Sequence, residues 1–228
     1  MLTLLCLGVS RAAVPRAPLT ASRVAARAVA PQLGLLGEPS GGPSVQQREA
    51  ALIEWLESNG CSMSAQSSWG RAAHPLRVES ETTDDFEPSG RGLIARKQTT
   101  QGEPLVKIPM KLVMTKEKAA RELGAQIIDP LGEYIAIALF LVHERAKGDS
   151  SLWRAYIDLL PTTEDVGQSF TWSEEELTLL EGSPVLASTR SFQEKLRAEY
   201  ATVQQLSAAY PQVLLPEVHT WEAFEWAM

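Results

Sequence analysis

The string Ser89-Gly90-Arg91-Gly92-Leu93 holds the residue types best suited to gripping a small ligand. Two glycines around one residue allow positive φ and let a ligand reach the main chain with no Cβ in the way. That geometry suits an anionic or zwitterionic molecule held by backbone groups, and an ordinary β-turn carries the same signature. The full Gly-x-Gly-x-x-Gly pattern and a following helix are absent, which argues against a dinucleotide or phosphate cradle. His74, His143 and His219 stand far apart in sequence, with no cysteine or carboxylate at ligand spacing, which argues against a zinc site. Cys6 and Cys61 are too few for a disulfide framework or a metal cluster. No Gly-x-Ser-x-Gly elbow is present, which excludes a hydrolase of that kind. Glu174-Glu175-Glu176 follows Ser173, where a helix N-terminus accounts for carboxylates without catalysis. Trp153, Trp172, Trp221 and Trp226 read as core or interface anchors, because no basic groove accompanies them. Tyr134, Tyr156, Tyr200 and Tyr210 fall at helical positions and read as packing residues. The residues alone assemble no complete catalytic constellation.

The elements that must position them follow from pattern. Ser44 and Gln47 have capping-box spacing ahead of Ala51, Leu52, Trp55 and Leu56, and Asn59-Gly60 ends that helix. Residues 61–74 read as loop. Leu76–Val78 is expected as a strand, 87–92 as a turn and Leu93–Ala95 as a strand. A turn at 101–103 precedes a strand expected at 104–109 and bracketed by prolines, and Leu112–Met114 is expected to close this β region. Helices are then expected at Lys116–Leu123, Gly132–Lys147, Leu152–Leu160, after the capping box at Ser173, and over about Thr189–Tyr210. Thr220 caps a last helix whose apolar face is Phe224, Ala227 and Met228. No polar tail follows it, so the pattern predicts a face in need of a partner this chain does not supply.

Composition bounds the class. Hydrophobic residues are 44% and charged residues 21% of 228, globular values that exclude a disordered or collagenous chain. No run of about 18 apolar residues exists, which excludes a mature transmembrane helix. The net charge of −7 argues against a nucleic-acid surface. It also hides an asymmetry: residues 1–37 carry Arg11, Arg16, Arg23 and Arg27 and no acid. The remainder holds 17 basic against 28 acidic residues. The opening reads as an organelle transit peptide, so residues 1–40 are expected to be targeting segment and linker.

Several strings resemble, in order, the Rubisco large-subunit methyltransferase type of SET-domain protein. They are Ser89–Ala95, Gly102–Pro109, Ile137–Glu144, Ser150–Pro161, Trp172–Leu177 and Phe224-Glu225-Trp226-Ala227, spread over about residues 46–228. The resemblance implies an α+β fold, a partial SET β-fold with a large helical insert. It places the SET portion at 41–228, its β region at about 76–115 and the insert at about 116–220. It implies S-adenosyl-L-methionine-dependent methylation of a lysine, or of a histidine in relatives, on a protein substrate. The cofactor would be held by main-chain groups at Ser89, Gly90, Arg91 and Gly92, although a glutamate is common in relatives where Ser89 stands. Relatives continue after Phe-x-Trp-Ala into a Ser-Arg, an Asn-His pair and a tyrosine that orients the target amine. Here the single asparagine, Asn59, precedes Gly60, and the Ser-Arg pairs are Ser10-Arg11 and Ser22-Arg23. The expectation is therefore a C-terminally truncated protein-lysine methyltransferase, with no catalytic residue of its own, no metal and no activity alone. The alternative is a non-catalytic protein-binding module built on the insert, and a third reading has a separate chain complete the site. Neither nucleic acid nor membrane is expected as a partner. The resemblance points to a plastid, with the mitochondrion as alternative.

Overall fold

The computed structural model describes residues 43–61, 76–84, 87–96, 98–102 and 105–228. The expected targeting segment, most of the expected 61–74 loop and His74 lie outside them. Helix α1 (Val45–Ser58) starts on the predicted capping box. Ser44 Oγ accepts from the Gln47 N–H at 3.2 Å, and Gln47 Oε1 accepts from the Ser44 N–H at 2.7 Å. Strand β1 (Leu76–Asp84) then pairs antiparallel with β2 (Glu87–Ala95), with Leu76 opposite Ala95 and Val78 opposite Leu93. Among the described residues this is a two-stranded sheet. A hairpin of that size is marginal alone and needs a face to pack on. Leu76 supplies it by joining Leu56, Cys61 and Leu112 in a small buried cluster, edged by Leu52, Trp55, Val78 and Val106.

Three expectations for the β region fail. Residues 87–92 are not a separate turn but the first part of β2, because a bulge satisfies both the ladder and the positive φ that glycine allows. Residues 105–109 pair with no strand among the described residues, and Met110–Leu112 is a 3-10 turn rather than the close of a β region. Alternating apolar residues can mark a strand, but a ladder needs a partner, and Lys107 and Ile108 face solvent.

The helical block follows: α2 (Lys116–Leu123), α3 (Ala125–Ile128), α4 (Glu133–Ala146), α5 (Arg154–Ile157), α6 (Thr163–Val166), α7 (Glu174–Leu177), α8 (Pro184–Ala209) and α9 (Trp221–Ala227). None of these is long and apolar enough to cross a membrane. Helix α4 is the centre, packed by α2 and α9, with Ala136, Ala138, Leu139 and Phe140 buried. Its broad apolar stripe has the cause read from sequence, burial on more than one side. Trp153 closes the core edge-on to Phe140, ring centroids 5.2 Å apart, and its indole N–H donates to the Leu112 carbonyl at 2.9 Å. Lys118 spans the same junction, donating to the carbonyls of Met110, Lys111 and Val113.

The expected helix over 152–160 shrinks to α5, because Ser151 Oγ takes the Trp153 N–H and Pro161 stops the segment. Helix α8 begins five residues earlier than expected. Ser183 Oγ accepts from Val185 N–H, and Pro184 occupies the first turn, where its missing N–H costs nothing. Tyr134, expected to pack, is exposed. The largest correction concerns α9. Its apolar face is not left without a partner: Phe224 is 1% exposed, tilted against Tyr200 at 5.5 Å, in the core that α4 organises.

Candidate functional site

The Gly-rich string is built into a bulged stretch of β2. The register slips between Glu79 and Thr82 and again between Thr82 and Thr83, so Thr82 lies opposite Gly90 and Glu79 opposite Gly92. Gly90 has φ +69°, and a Cβ there would meet nothing within 4 Å. Glycine is therefore required by backbone angle, not by crowding, and the main chain beside it is open. Gly92 has the opposite reason: a Cβ would sit 3.1 Å from the Thr82 methyl. Thr82 fixes the bulge further, its hydroxyl donating to the Gly90 carbonyl at 2.7 Å.

The structure thus brings Ser89, Gly90, Arg91 and Gly92 together as consecutive residues of one edge strand. Ser89's side chain lies outside the described ones. The Arg91 guanidinium is tied to the helical block: Nη2 donates to the Leu159 carbonyl, just past α5. That bond crosses 68 residues of sequence and pins the Gly-rich strand to the helical block. No local pattern announced it, because a carbonyl acceptor leaves no trace in residue type.

A second cluster also escaped the sequence. Folding sets His143 Nε2 3.7 Å from Glu122 and stacks its ring on His219, centroids 6.4 Å apart. His143 and His219 are separated in the chain but not in space. Ligand-type atoms of Glu122, His143 and Glu144 lie within 4.8 Å of one another. A cation of the chain's own already sits there: Lys147 Nζ is 2.8 Å from Glu122 and 2.7 Å from Glu144. Burial opposes the charge on Lys147, yet its bonds to Glu122 and Glu144 carry its pKa above the ordinary value. Glu144, 1% exposed, also accepts from Ser151 Oγ at 2.6 Å. This is a structural ion network, and it fastens α2, α4 and the turn before α5 together. His219 is 4% exposed; its Nδ1 meets the Leu215 carbonyl at 3.1 Å, and its Nε2 has no hydrogen-bond partner among the described residues. Burial, aided by nearby His143 and against the Leu215 bond, lowers its pKa. Cys61 is buried and in no disulfide among the described residues, and burial raises its pKa.

No protein-family model matches the chain. Individual relatives do. The chain is 30% identical over 191 residues to the chloroplastic ribulose-1,5-bisphosphate carboxylase/oxygenase large-subunit N-methyltransferase of Pisum sativum, covering 83% of this chain and 35% of that protein. It is 33% identical over 129 residues to the chloroplastic [fructose-bisphosphate aldolase]-lysine N-methyltransferase of Arabidopsis thaliana, 57% of this chain and 25% of that one. Actin-histidine N-methyltransferase of Mus musculus is 28% identical over 186 residues, 78% of this chain and 28% of that one. Among solved structures, the SET domain of LSMT bound to lysine and AdoHcy superposes with TM-score 0.67 at 26% identity, over 81% of this chain and 38% of that one. The chain thus spans about a quarter to two fifths of the length of such proteins. The fold is α+β, part of a SET β-fold carrying a helical insert, as the family resemblance implied. By sequence and by fold, the chain is a relative of the Rubisco large-subunit methyltransferase type of SET-domain protein over the part of such proteins that it spans.

Proposed function

We propose that this chain provides the cofactor-facing strand and the helical insert of a protein-lysine N-methyltransferase that uses S-adenosyl-L-methionine. The observation that carries this reading is the open, positive-φ main chain at Gly90, in a strand whose sequence stands in family order with the insert blocks. The zwitterionic amino-acid end of such a cofactor fits main-chain donors and acceptors that no Cβ shields. Ser89, Gly90, Arg91 and Gly92 would hold it through their backbone, since the Arg91 side chain is engaged with Leu159. Bound there, the cofactor supplies a sulfonium-activated methyl group. Relatives named for Rubisco large subunit and for aldolase lysine support a protein substrate, and their chloroplastic naming supports a plastid.

A lysine amine must be deprotonated and aligned before it can attack, and alignment is where such enzymes gain most of their rate. The sequence has no Asn-His pair, and its Ser-Arg pairs lie at 10–11 and 22–23. The 228-residue chain alone is therefore proposed to be inactive. The test is transfer of labelled methyl from S-adenosylmethionine to Rubisco large subunit or aldolase. It is run with the chain alone and with the C-terminal two thirds of the Pisum sativum relative added. We expect no turnover alone and recovery on addition. Turnover by the chain alone would overturn the inactivity. Failure of recovery, with no cofactor cross-link to β2, would overturn the methyltransferase reading in favour of the binding module. A fusion of residues 1–40 to a fluorescent protein is expected to enter plastids, and retention in the cytosol would remove that assignment.

A further inference from the structure

Two long-range bonds converge on one short stretch of chain. Residues 159–162 link α5 to α6 and are fixed at both ends. The Leu159 and Leu160 N–H groups turn back to the carbonyls of Tyr156 and Ile157, at 3.1 and 3.0 Å. Thr162 closes the other end with a capping box. Its N–H donates to Asp165 Oδ2 at 2.9 Å, and its hydroxyl accepts from the Asp165 N–H at 3.2 Å. Pro161, between them, has its φ locked by its ring. Two carbonyls of this strut are taken by side chains from afar. Arg91 of β2 donates to Leu159, and the Trp226 indole of α9 donates to Pro161 at 2.9 Å, across 68 and 65 residues of sequence. Arg145 of α4 lies 4.1 Å over the Trp226 ring, so the strut is braced against the central helix.

Arg91 is also the residue between the two glycines, so this bond acts on the main chain proposed to meet the cofactor. Thr82 holds that main chain from within the sheet. Its hydroxyl donates to the Gly90 carbonyl at 2.7 Å, and its methyl lies 3.1 Å from where a Gly92 Cβ would stand. The Arg91 side chain adds a hold from the helical block. Gly90, at φ +69°, has no side chain to fix it, and glycine loses the most backbone freedom when it is ordered. A two-stranded hairpin is marginal by itself, so a glycine on each side of Arg91 leaves several peptide orientations open unless an outside group selects one. Apparent affinity for a ligand falls in proportion to the fraction of molecules in the binding conformation. The Arg91 bond therefore acts on cofactor affinity with no contact between its guanidinium and the cofactor.

We propose that Arg91 and Trp226 are positioning residues for the cofactor: they grip two carbonyls of one strut and so keep the Gly90–Gly92 main chain in its binding form. This rests on the reading of that main chain as the cofactor site. The test uses the full 228-residue chain labelled with ¹⁵N and titrated with S-adenosylhomocysteine, which carries no methyl group to transfer. Saturable shifts of the Gly90 and Gly92 amide signals give the affinity. Arg91→Leu keeps an aliphatic arm and loses the bond, and is expected to weaken binding about fivefold. Arg91→Lys keeps a donor and is expected to stay within about twofold of the unaltered chain. Trp226→Phe keeps a ring beneath Arg145 and loses the indole N–H, and is expected to weaken binding at least about twofold. The double variant Arg91→Leu, Trp226→Phe is expected to bind no more weakly than Arg91→Leu, because an untied strand no longer feels the strut. Ser173→Ala, which removes the cap of α7 and touches neither strand nor strut, is expected to leave affinity unchanged. An unchanged Trp153 indole signal shows that each variant keeps its helical core. Absence of any saturable shift at Gly90 or Gly92 in the unaltered chain would overturn the cofactor reading, and this inference with it. Binding that Arg91→Leu leaves undiminished, Arg91→Lys as weak as Arg91→Leu, multiplying losses in the double variant, or an equal loss in Ser173→Ala would overturn the inference alone.

Discussion

Lys147 shows how a residue that reads as a solvated helix end can hold a fold together. It neutralises Glu144, which is 1% exposed and, among the described residues, has Ser151 as its other hydrogen-bond partner. Replacing it with methionine strands a buried carboxylate. We expect Lys147→Met to cost about 2–3 kcal/mol, under the 3–5 of a fully buried pair because Lys147 is 31% exposed. Replacing Glu144 and Lys147 together with leucine is expected to cost less than the single change, since no unpaired charge remains. Urea unfolding of both variants measures this. His219 gives a pH-dependence of known sign. Its folded pKa lies below the unfolded value of 6.5, so its contribution is present above about pH 6.5 and is lost as the pH falls below it. His143 on α4, with Glu122 on α2 beyond it, is the titratable neighbour of its ring. Thermal melts from about pH 8 to pH 5.5 should show a fall in Tm that His219→Gln reduces, because glutamine takes up no proton.

Among the elements, α9 is the instructive one. Thr220 Oγ1 accepts from Ala223 N–H at 3.3 Å, the cap that the sequence announced. The helix is then fixed by long-range contacts: Trp226 donates to the Pro161 carbonyl at 2.9 Å, and Arg145 lies 4.1 Å over the Trp226 ring. Phe224→Ala should cost about 3–5 kcal/mol, the range for emptying a buried phenylalanine site. A loss below about 1 kcal/mol in denaturant titration would show that α9 is not part of the cooperative core. The start of this helix was legible because capping is local. Its burial was not, because Tyr200, Pro161 and Arg145 lie 24 to 81 residues away and no periodicity reports them.

At the scale of the molecule, one side chain links the Gly-rich hairpin to the helical block. Arg91→Ala removes the bond to Leu159 and leaves the bulge with Thr82 intact. We expect a stability loss of about 1 kcal/mol, at the low end for a charged hydrogen bond because Arg91 is exposed. Hydrogen exchange should quicken in β1 and β2 but not in α4. Equal quickening in both would mean that the hairpin and the helical block unfold as one unit.

Sequence alone determined the elements whose signals are local. These are the capping boxes at Ser44 and Ser173, the broad stripe of α4, the positive-φ need near Gly90, and the ordered strings that mark the family. A cap or a glycine is specified by neighbours within a few residues, so type and spacing suffice. Tertiary structure decided the rest. It made 87–92 a bulged strand rather than a turn, left 105–109 unpaired among the described residues, brought His143 to His219, and gave Arg91 to Leu159. Each of these depends on a group supplied from a distant part of the chain, often a backbone carbonyl, which every residue carries and which sequence therefore cannot single out.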